Sequence, residues 1–147
     1  MIPLSGTIAL VEDNVDDLFF MKRALKAADI ANPLQVLMNG TTAQDYLAGR
    51  GGYADRTLFP LPFLLLLDLK LPDMSGFEVL KWIKGQSVLN NMATIVLTTS
   101  GESRDIEKAY ELRANSFLVK PAGAERLLDL VMALKQYWFI HNGFPRA

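Results

Sequence analysis

The 147-residue chain contains no cysteine. That excludes a disulfide framework, a thiolate nucleophile and a thiolate metal site, and it suits a reducing compartment. There is one histidine, His141, close to the C-terminal end. A single late imidazole argues against a histidine-based triad or a histidine-rich metal centre. No excess of either charge exists: 15 basic and 16 acidic residues leave a formal net charge of -1. Because acids and bases are intermixed, neither a nucleic-acid surface nor a polybasic membrane patch is expected. Long apolar runs are missing too, so nothing approaches the roughly 20 residues needed to span a bilayer. The opening stretch MIPLSGTIALVED lacks a basic start and meets acids early, unlike a secretory signal. What the chain does have is apolar content, 50% of its residues. That is enough for one core without staples. The expectation is a single cytoplasmic domain over residues 1–147, with an extended helix and tail from about residue 137.

Short apolar runs alternate with helical periods. TIALV (7–11), PLQVLM (33–38), FLLLLD (63–68), ATIVLTT (93–99) and SFLVK (116–120) read as strands. Between them, Leu18, Met21, Leu25 and Ala28 recur at helical spacing, as do Phe77, Leu80 and Ile83. TTAQDYLAGRGG opens on hydroxyl caps and closes on glycines, and Ser103 is placed to cap a fourth helix. The last helix is read as one run, AERLLDLVMALKQYWFIHN. Strands that read as unbroken apolar runs are covered on both faces, and parallel strands need crossover helices. The predicted fold is therefore α/β, a doubly wound five-stranded parallel sheet in the flavodoxin-like order 2-1-3-4-5. Only residues 49–62 are loop-rich enough to expect mobility.

In such sheets ligands bind beyond the carboxyl ends of the strands. Strand 1 ends on Glu12 and Asp13, strand 3 on Asp68, strand 4 on Thr98, Thr99 and Ser100, and strand 5 on Lys120 and Pro121. The predicted order makes strands 1 and 3 neighbours and so gathers three carboxylates. Two like charges 4 Å apart cost about 4 kcal/mol at an effective dielectric near 20. Protonation relieves that, and so does a cation. An all-oxygen set suits Mg²⁺, which often shares a phosphate ligand. A carboxylate is also a nucleophile toward phosphorus, provided that metal and cationic groups neutralise the phosphoryl oxygens. Asp68 is placed to attack, Glu12 and Asp13 to hold the metal, Lys120 and Thr98 to meet the other oxygens. Taken singly each residue has a plainer reading: a cap, a β-former, a solvated turn lysine. Asp16 and Asp17 are left as acids favoured at a helix N-terminus. The weight lies in all the others falling on one sheet edge.

IALVEDNVDD, LLLLDLKLPDMSGFEVLKWI, IVLTTS and ANSFLVKP, in that order, resemble the motifs of two-component response-regulator receiver domains. The resemblance covers roughly residues 7 to 137. The insertion GRGGYADRTLFPLP together with GFEVLKWIK is similar to single-domain regulators that partner phytochrome-type or other sensor histidine kinases. It implies a receiver that takes a phosphoryl group from such a kinase or a phosphorelay. Such a protein signals by conformational change and protein contacts, without an output domain. It is a phosphoacceptor with self-catalysed transfer and autodephosphorylation rather than a conventional enzyme. It also implies Asp68 as phosphoacceptor and Glu12, Asp13 and the backbone carbonyl of Lys70 as ligands of Mg²⁺, with Mn²⁺ as an alternative. Thr98 becomes the switch hydroxyl and Phe117 the aromatic that moves with it. Lys120 pairs with phosphate, its bond to Pro121 is expected to be cis, and the side chains of Lys70 and Ser100 tune autodephosphorylation. Arg113 stands where the family commonly has glycine, so the turn before strand 5 is expected to differ locally.

Two rival readings fit less well. A Mg²⁺-dependent phosphatase of the haloacid-dehalogenase type places its nucleophile on the first strand with a second acid two residues on, and neither holds here. A flavin or nucleotide binder needs a phosphate-cradling loop after strand 1, where VEDNVDD is acidic. In the last helix Leu127, Leu130, Val131, Leu134 and Trp138 form one apolar stripe, expected to pack on the sheet. Leu128, Met132 and Phe139 lie roughly on another side, and YWFIHNGF (137–144) is too apolar for a free tail. It either folds back or meets a partner, and a homodimer through the last helix and tail is the expectation.

Overall fold

In the computed structural model, which describes residues 6–144, strands and helices alternate throughout. The strands are β1 (Ile8–Val11), β2 (Leu34–Leu37), β3 (Leu64–Leu67), β4 (Ala93–Thr98) and β5 (Ser116–Val119). The helices are α1 (Val15–Ala27), α2 (Gly40–Ala48), α3 (Gly76–Lys84), α4 (Ser103–Glu111) and α5 (Ala124–Leu134). The sheet is parallel in the order β2-β1-β3-β4-β5. Residues 1–5 of the N-terminal stretch and residues 145–147 of the tail, both read above, lie outside the described residues.

The period-2 geometry of a strand explains the two cores. In β3, Leu65 and Leu67 join Val11, Val96, Tyr46, Val79 and Ala109 on the α2, α3 and α4 side. Leu64 and Leu66 join Ile8, Leu10, Ile95, Leu97, Met21 and Val131 on the α1 and α5 side. Lys135 ties the second layer together by donating from Nζ to the Ala28 carbonyl at the end of α1, at 2.7 Å.

Several local expectations are corrected. The cap of α2 is Asn39, which accepts from the Thr42 amide at 2.7 Å, and not one of the threonines. Ser103 is the first residue of α4 and does not cap it; Glu102 precedes it without a side-chain cap bond. The 49–62 segment is tied down. Arg56 donates to the carbonyls of Tyr46, Leu47 and Phe59 at 2.7–3.1 Å. Tyr53 packs edge-on against both Tyr46 and Phe59. A guanidinium that satisfies the last carbonyls of a helix replaces the water a free loop would use.

The turn before β5 keeps its left-handed backbone although it has no glycine. Arg113 has φ 67°. Its amide donates to the Tyr110 carbonyl and that of Ala114 to Ala109, at 2.9 and 3.0 Å, which closes the end of α4. A side chain in this conformation costs about 1 kcal/mol or more relative to glycine. Arg113→Gly is therefore expected to raise unfolding stability by about 1 kcal/mol in urea titrations. An unchanged midpoint would show that the arginine side chain offsets its own strain.

The final helix is not one α-helical run. From Lys135 to His141 the backbone widens into a π-helix, closed by the Asn142 amide on the Tyr137 carbonyl at 2.6 Å. Within it Phe139 is half-buried and packs on the core layer of α1 and α5. Phe139 and Phe144 both meet Phe63 edge-on, with centroids 5.4 Å apart. Trp138, Phe139 and Phe144 thus fold back on their own domain, whereas Tyr137 and Ile140 remain exposed. Among the described residues no helix is long and apolar enough to cross a membrane.

Candidate functional site

The sheet's hydrogen bonding continues one residue past three strands and so fixes the backbone of the polar residues that follow. Glu12 N–H donates to the Leu37 carbonyl at 3.0 Å, Asp68 N–H to Val11 at 3.1 Å, and Lys120 N–H to Thr98 at 2.7 Å. Glu12, Asp68 and Lys120 therefore leave the sheet at one edge, at heights set by strand register.

Their side chains meet. Lys120 Nζ donates to Glu12 Oε1, and to Asp68 Oδ2 and Asp17 Oδ2 at 3.0 Å each. Glu12 is almost wholly buried, at 2% exposure, and its Oε2 accepts from the amides of Asp13 and Asn14 at the start of α1. Burial pushes the Glu12 carboxyl up to about 7, despite the lowering effect of Lys120. Burial alone would lower the Lys120 ammonium, but its hydrogen bonds to Glu12 and Asp68 outweigh that and hold it above its ordinary value. An ion pair this dry persists only where every charge has a partner, and here one ammonium serves three carboxylates.

The sequence places Asp17 at the helix N-terminus, and the structure also brings it onto Lys120. The signal was in the helical phase: Asp17 stands four residues before Met21 and seven before Ala24, both buried. Asp13 is half-buried and makes no side-chain bond to Lys120. Among the described residues no three acidic or imidazole groups converge on a common point as metal ligands. Glu12, Asp17 and Asp68 are gathered by the Lys120 ammonium.

Thr98 is fully buried and its Oγ1 has no hydrogen-bond partner among the described residues. Phe117 lies beside it on the same sheet face: Thr98 pairs with Val119 in register and Val96 with Phe117, and Phe117 packs on the α2–α4 side. Ser100 does not face the carboxylates; its hydroxyl donates to Asp105 Oδ2 in the first turn of α4 at 2.5 Å. The Lys70 side chain is exposed, and its amide donates to Asp68 Oδ1 at 3.2 Å. The expected cis bond at Lys120–Pro121 is absent, and this peptide is trans. Trans is the lower-energy isomer of an X–Pro bond by about 0.5–1 kcal/mol, and Lys120 makes its three ion pairs from it.

A 320 Å³ cleft opens on this cluster between Phe20 and Met21 of α1 and the segment from Pro121 to Ala124. The arrangement holds the Asp68 carboxylate at a cleft, an ammonium against it, and a buried hydroxyl without a partner among the described residues on the neighbouring strand. That is the equipment for binding and accepting a small tetrahedral oxyanion.

Comparison with known proteins points the same way. The family model for the response regulator receiver domain matches residues 8–132. Probable methanogenesis regulatory protein FilR2 of Methanothrix harundinacea is 38% identical over 138 residues, covering 94% of this chain and 86% of that protein. Response regulator Rcp1 of Synechocystis is 36% identical over 140 residues, covering 95% and 93%. The crystal structure of the Mn²⁺-bound form of Rcp1 superposes with a TM-score of 0.86 at 34% identity, over 96% of this chain and 99% of that one. The phosphorylated cyanobacterial phytochrome response regulator RcpA superposes with a TM-score of 0.88 at 33% identity, over 96% and 99%.

Proposed function

We propose that this chain, which belongs to the response regulator receiver family, takes a phosphoryl group onto Asp68 from a sensor histidine kinase or a phosphorelay. The observation that carries the residue assignment is the convergence of Asp68 and Glu12 on Lys120 at the carboxyl edge of the sheet. Asp68 Oδ attacks phosphorus; its new O–P bond, that of an aspartyl phosphate, forms as the P–N bond of the donor phosphohistidine breaks, and the imidazole leaves with that electron pair. Lys120 exchanges part of its carboxylate pairing for a phosphoryl oxygen. Thr98 Oγ1, which lacks a partner among the described residues, donates to another. Phe117 follows Thr98 on the shared face and changes the surface of β4, α4 and β5.

The donor set of Glu12, Asp13, Asp68 and the Lys70 carbonyl is all oxygen, as a hard divalent cation requires. Mg²⁺, or Mn²⁺ as in the Rcp1 structure, would be held by these groups. It would supply charge neutralisation for the phosphoryl oxygens. The exposed Lys70 side chain tunes hydrolysis by controlling access of water to the Asp68 edge. Ser100 acts on it through its bond to Asp105, which holds the loop after β4.

The likeness to phytochrome-associated regulators favours a phytochrome-type kinase as donor, with the whole chain acting as one receiver in the cytoplasm. The exposed row of Met132, Tyr137 and Ile140 along α5 and the π-helix supports a homodimer through that surface. Light scattering at tens of micromolar, with and without phosphodonor, is expected to give twice the chain mass; a monomer in both states rules the dimer out.

The assignment is tested by intact mass after incubation with Mg²⁺ and acetyl phosphate. One phosphoryl adduct is expected in the wild type and none in Asp68→Ala. Equal labelling of the variant overturns the choice of residue.

A further inference from the structure

The loop that follows Asp68 is anchored at its tip to a different helix. Asp73 accepts three hydrogen bonds from the start of α2: the Gly40 amide at 2.8 Å, the Thr41 amide at 2.9 Å and the Thr41 hydroxyl at 2.6 Å. Asn39 takes the next amide, that of Thr42, so the two side chains together satisfy the free N–H groups of the first turn. The first turn of α2 carries no acid of its own; the anion that complements its dipole is imported from the loop. The Thr41 hydroxyl, followed by the two backbone amides, pulls the Asp73 carboxyl down to about 2.

Packing seals the same junction. A Cβ on Gly40 would lie 2.3 Å from Met74 Cγ and 2.6 Å from its sulfur. Glycine is therefore what lets the helix start rest on Met74. At the other end the loop is closed by the Gly76 amide on the Leu69 carbonyl at 2.8 Å and by the Lys70–Ser75 bridge. A Cβ on Gly76 would meet the Asp68 carbonyl oxygen at 2.4 Å. Only Leu71 and the φ-restricted Pro72 separate Lys70 from Asp73.

Topology gives the junction its consequence. β1 lies between β2 and β3, so a bond from the loop after β3 to the helix after β2 spans the end of β1. That end carries Glu12 and Asp13. We infer that Asp73 is a positioning residue for divalent-cation binding: its clamp on α2 fixes the Lys70 carbonyl against the carboxylates of β1. The inference rests on the donor set proposed above and adds to it a residue that touches neither cation nor phosphate.

The test is a titration of the full chain with Mn²⁺, following the paramagnetic resonance signal of the free ion. Asp73→Ala is expected to raise the dissociation constant about tenfold, as loss of an outer partner of a metal ligand does. Gly40→Ala keeps every hydrogen-bonding group but drives its Cβ into Met74, and is expected to weaken binding in the same direction. Adding Met74→Ala to Gly40→Ala makes room and should return the affinity toward the wild-type value. Wild-type affinity in Asp73→Ala, with only a lowered melting temperature, would make Asp73 a helix cap and overturn the inference. The same holds if Gly40→Ala binds as the wild type does. Wild-type protein that binds no Mn²⁺ refutes the donor set itself and takes the clamp with it, whereas binding that is normal in every variant refutes the clamp alone.

Discussion

Lys120→Met is expected to destabilise the protein by about 3–5 kcal/mol at neutral pH, the usual result of removing one partner from a buried ion pair. The ammonium is the shared partner of Glu12, Asp17 and Asp68. Methionine keeps the stem's packing and deletes the charge, leaving the Glu12 and Asp68 carboxylates facing each other with little water. The loss should depend on pH in a defined sense. Glu12 already sits at about 7 rather than 4.5. A carboxyl raised in the folded state holds its proton where the unfolded chain has released it, so stability falls as pH rises through that window. Without Lys120 the Glu12 carboxyl moves higher still, and the window starts at the same 4.5 but extends further. Urea unfolding at pH 5 and pH 8 should therefore show a larger deficit at pH 8. Labelling by acetyl phosphate should drop by about 10²–10³-fold, the scale for deleting one preorganised charge-stabilising group. A deficit below about 0.5 kcal/mol at both pH values would place the change within the range of ordinary surface substitutions. It would show that the carboxylates are not organised by this lysine.

The sheet was legible because its strands are covered on both faces. FLLLLD has no polar interruption, and a run of that kind belongs to the centre of a parallel sheet. With the strand order in hand, the site residues follow from counting: Glu12, Asp68 and Lys120 stand one residue past their strands, and Thr98 is the last residue of β4. Features that depend on rotation or on distant closure were less accessible. Asp17 reaches Lys120 because α1 turns that side chain inward, and an acid at a helix start has an adequate local explanation without any tertiary contact. Asp73 looks like a turn residue in LPDMSG; that it caps a helix 33 positions earlier is decided by how the loop folds over β1. Arg56 reads as a surface charge in a glycine-rich insertion, yet its guanidinium closes the end of α2. The tail's apolar side chains announced burial, but the widening from Lys135 to His141 and the Phe139–Phe63 contact leave no mark in a 3.6-residue period.

Thr98→Val is expected to make the unphosphorylated protein more stable and unable to respond. Thr98 is fully buried and its hydroxyl has no partner among the described residues. A buried polar group left unpaired costs about 1–3 kcal/mol. Valine has nearly the same shape and suits a strand. Removing the orphan oxygen should recover about 1 kcal/mol, seen as a rise of roughly 2–4 °C in melting temperature for a chain of this size. The response should fail for the same reason that stability improves. In the proposed mechanism phosphate on Asp68 would offer the hydroxyl its missing partner, so the two-state element would be biased only while that oxygen is present. In the wild type, phosphodonor and Mg²⁺ should shift the NMR signals of Phe117 and of the Thr98–Ser100 segment. In Thr98→Val the intact mass should still show the phosphoryl adduct while the Phe117 signals stay where they were. Thr98→Ser, which keeps the oxygen, should respond and should not gain stability. A Thr98→Val protein no more stable than wild type would mean that the hydroxyl is already satisfied in solution. Phe117 shifts that persist in that variant would move the trigger to another group. The expected pair of results would tie both properties, resting stability and response, to one atom, the Thr98 hydroxyl oxygen.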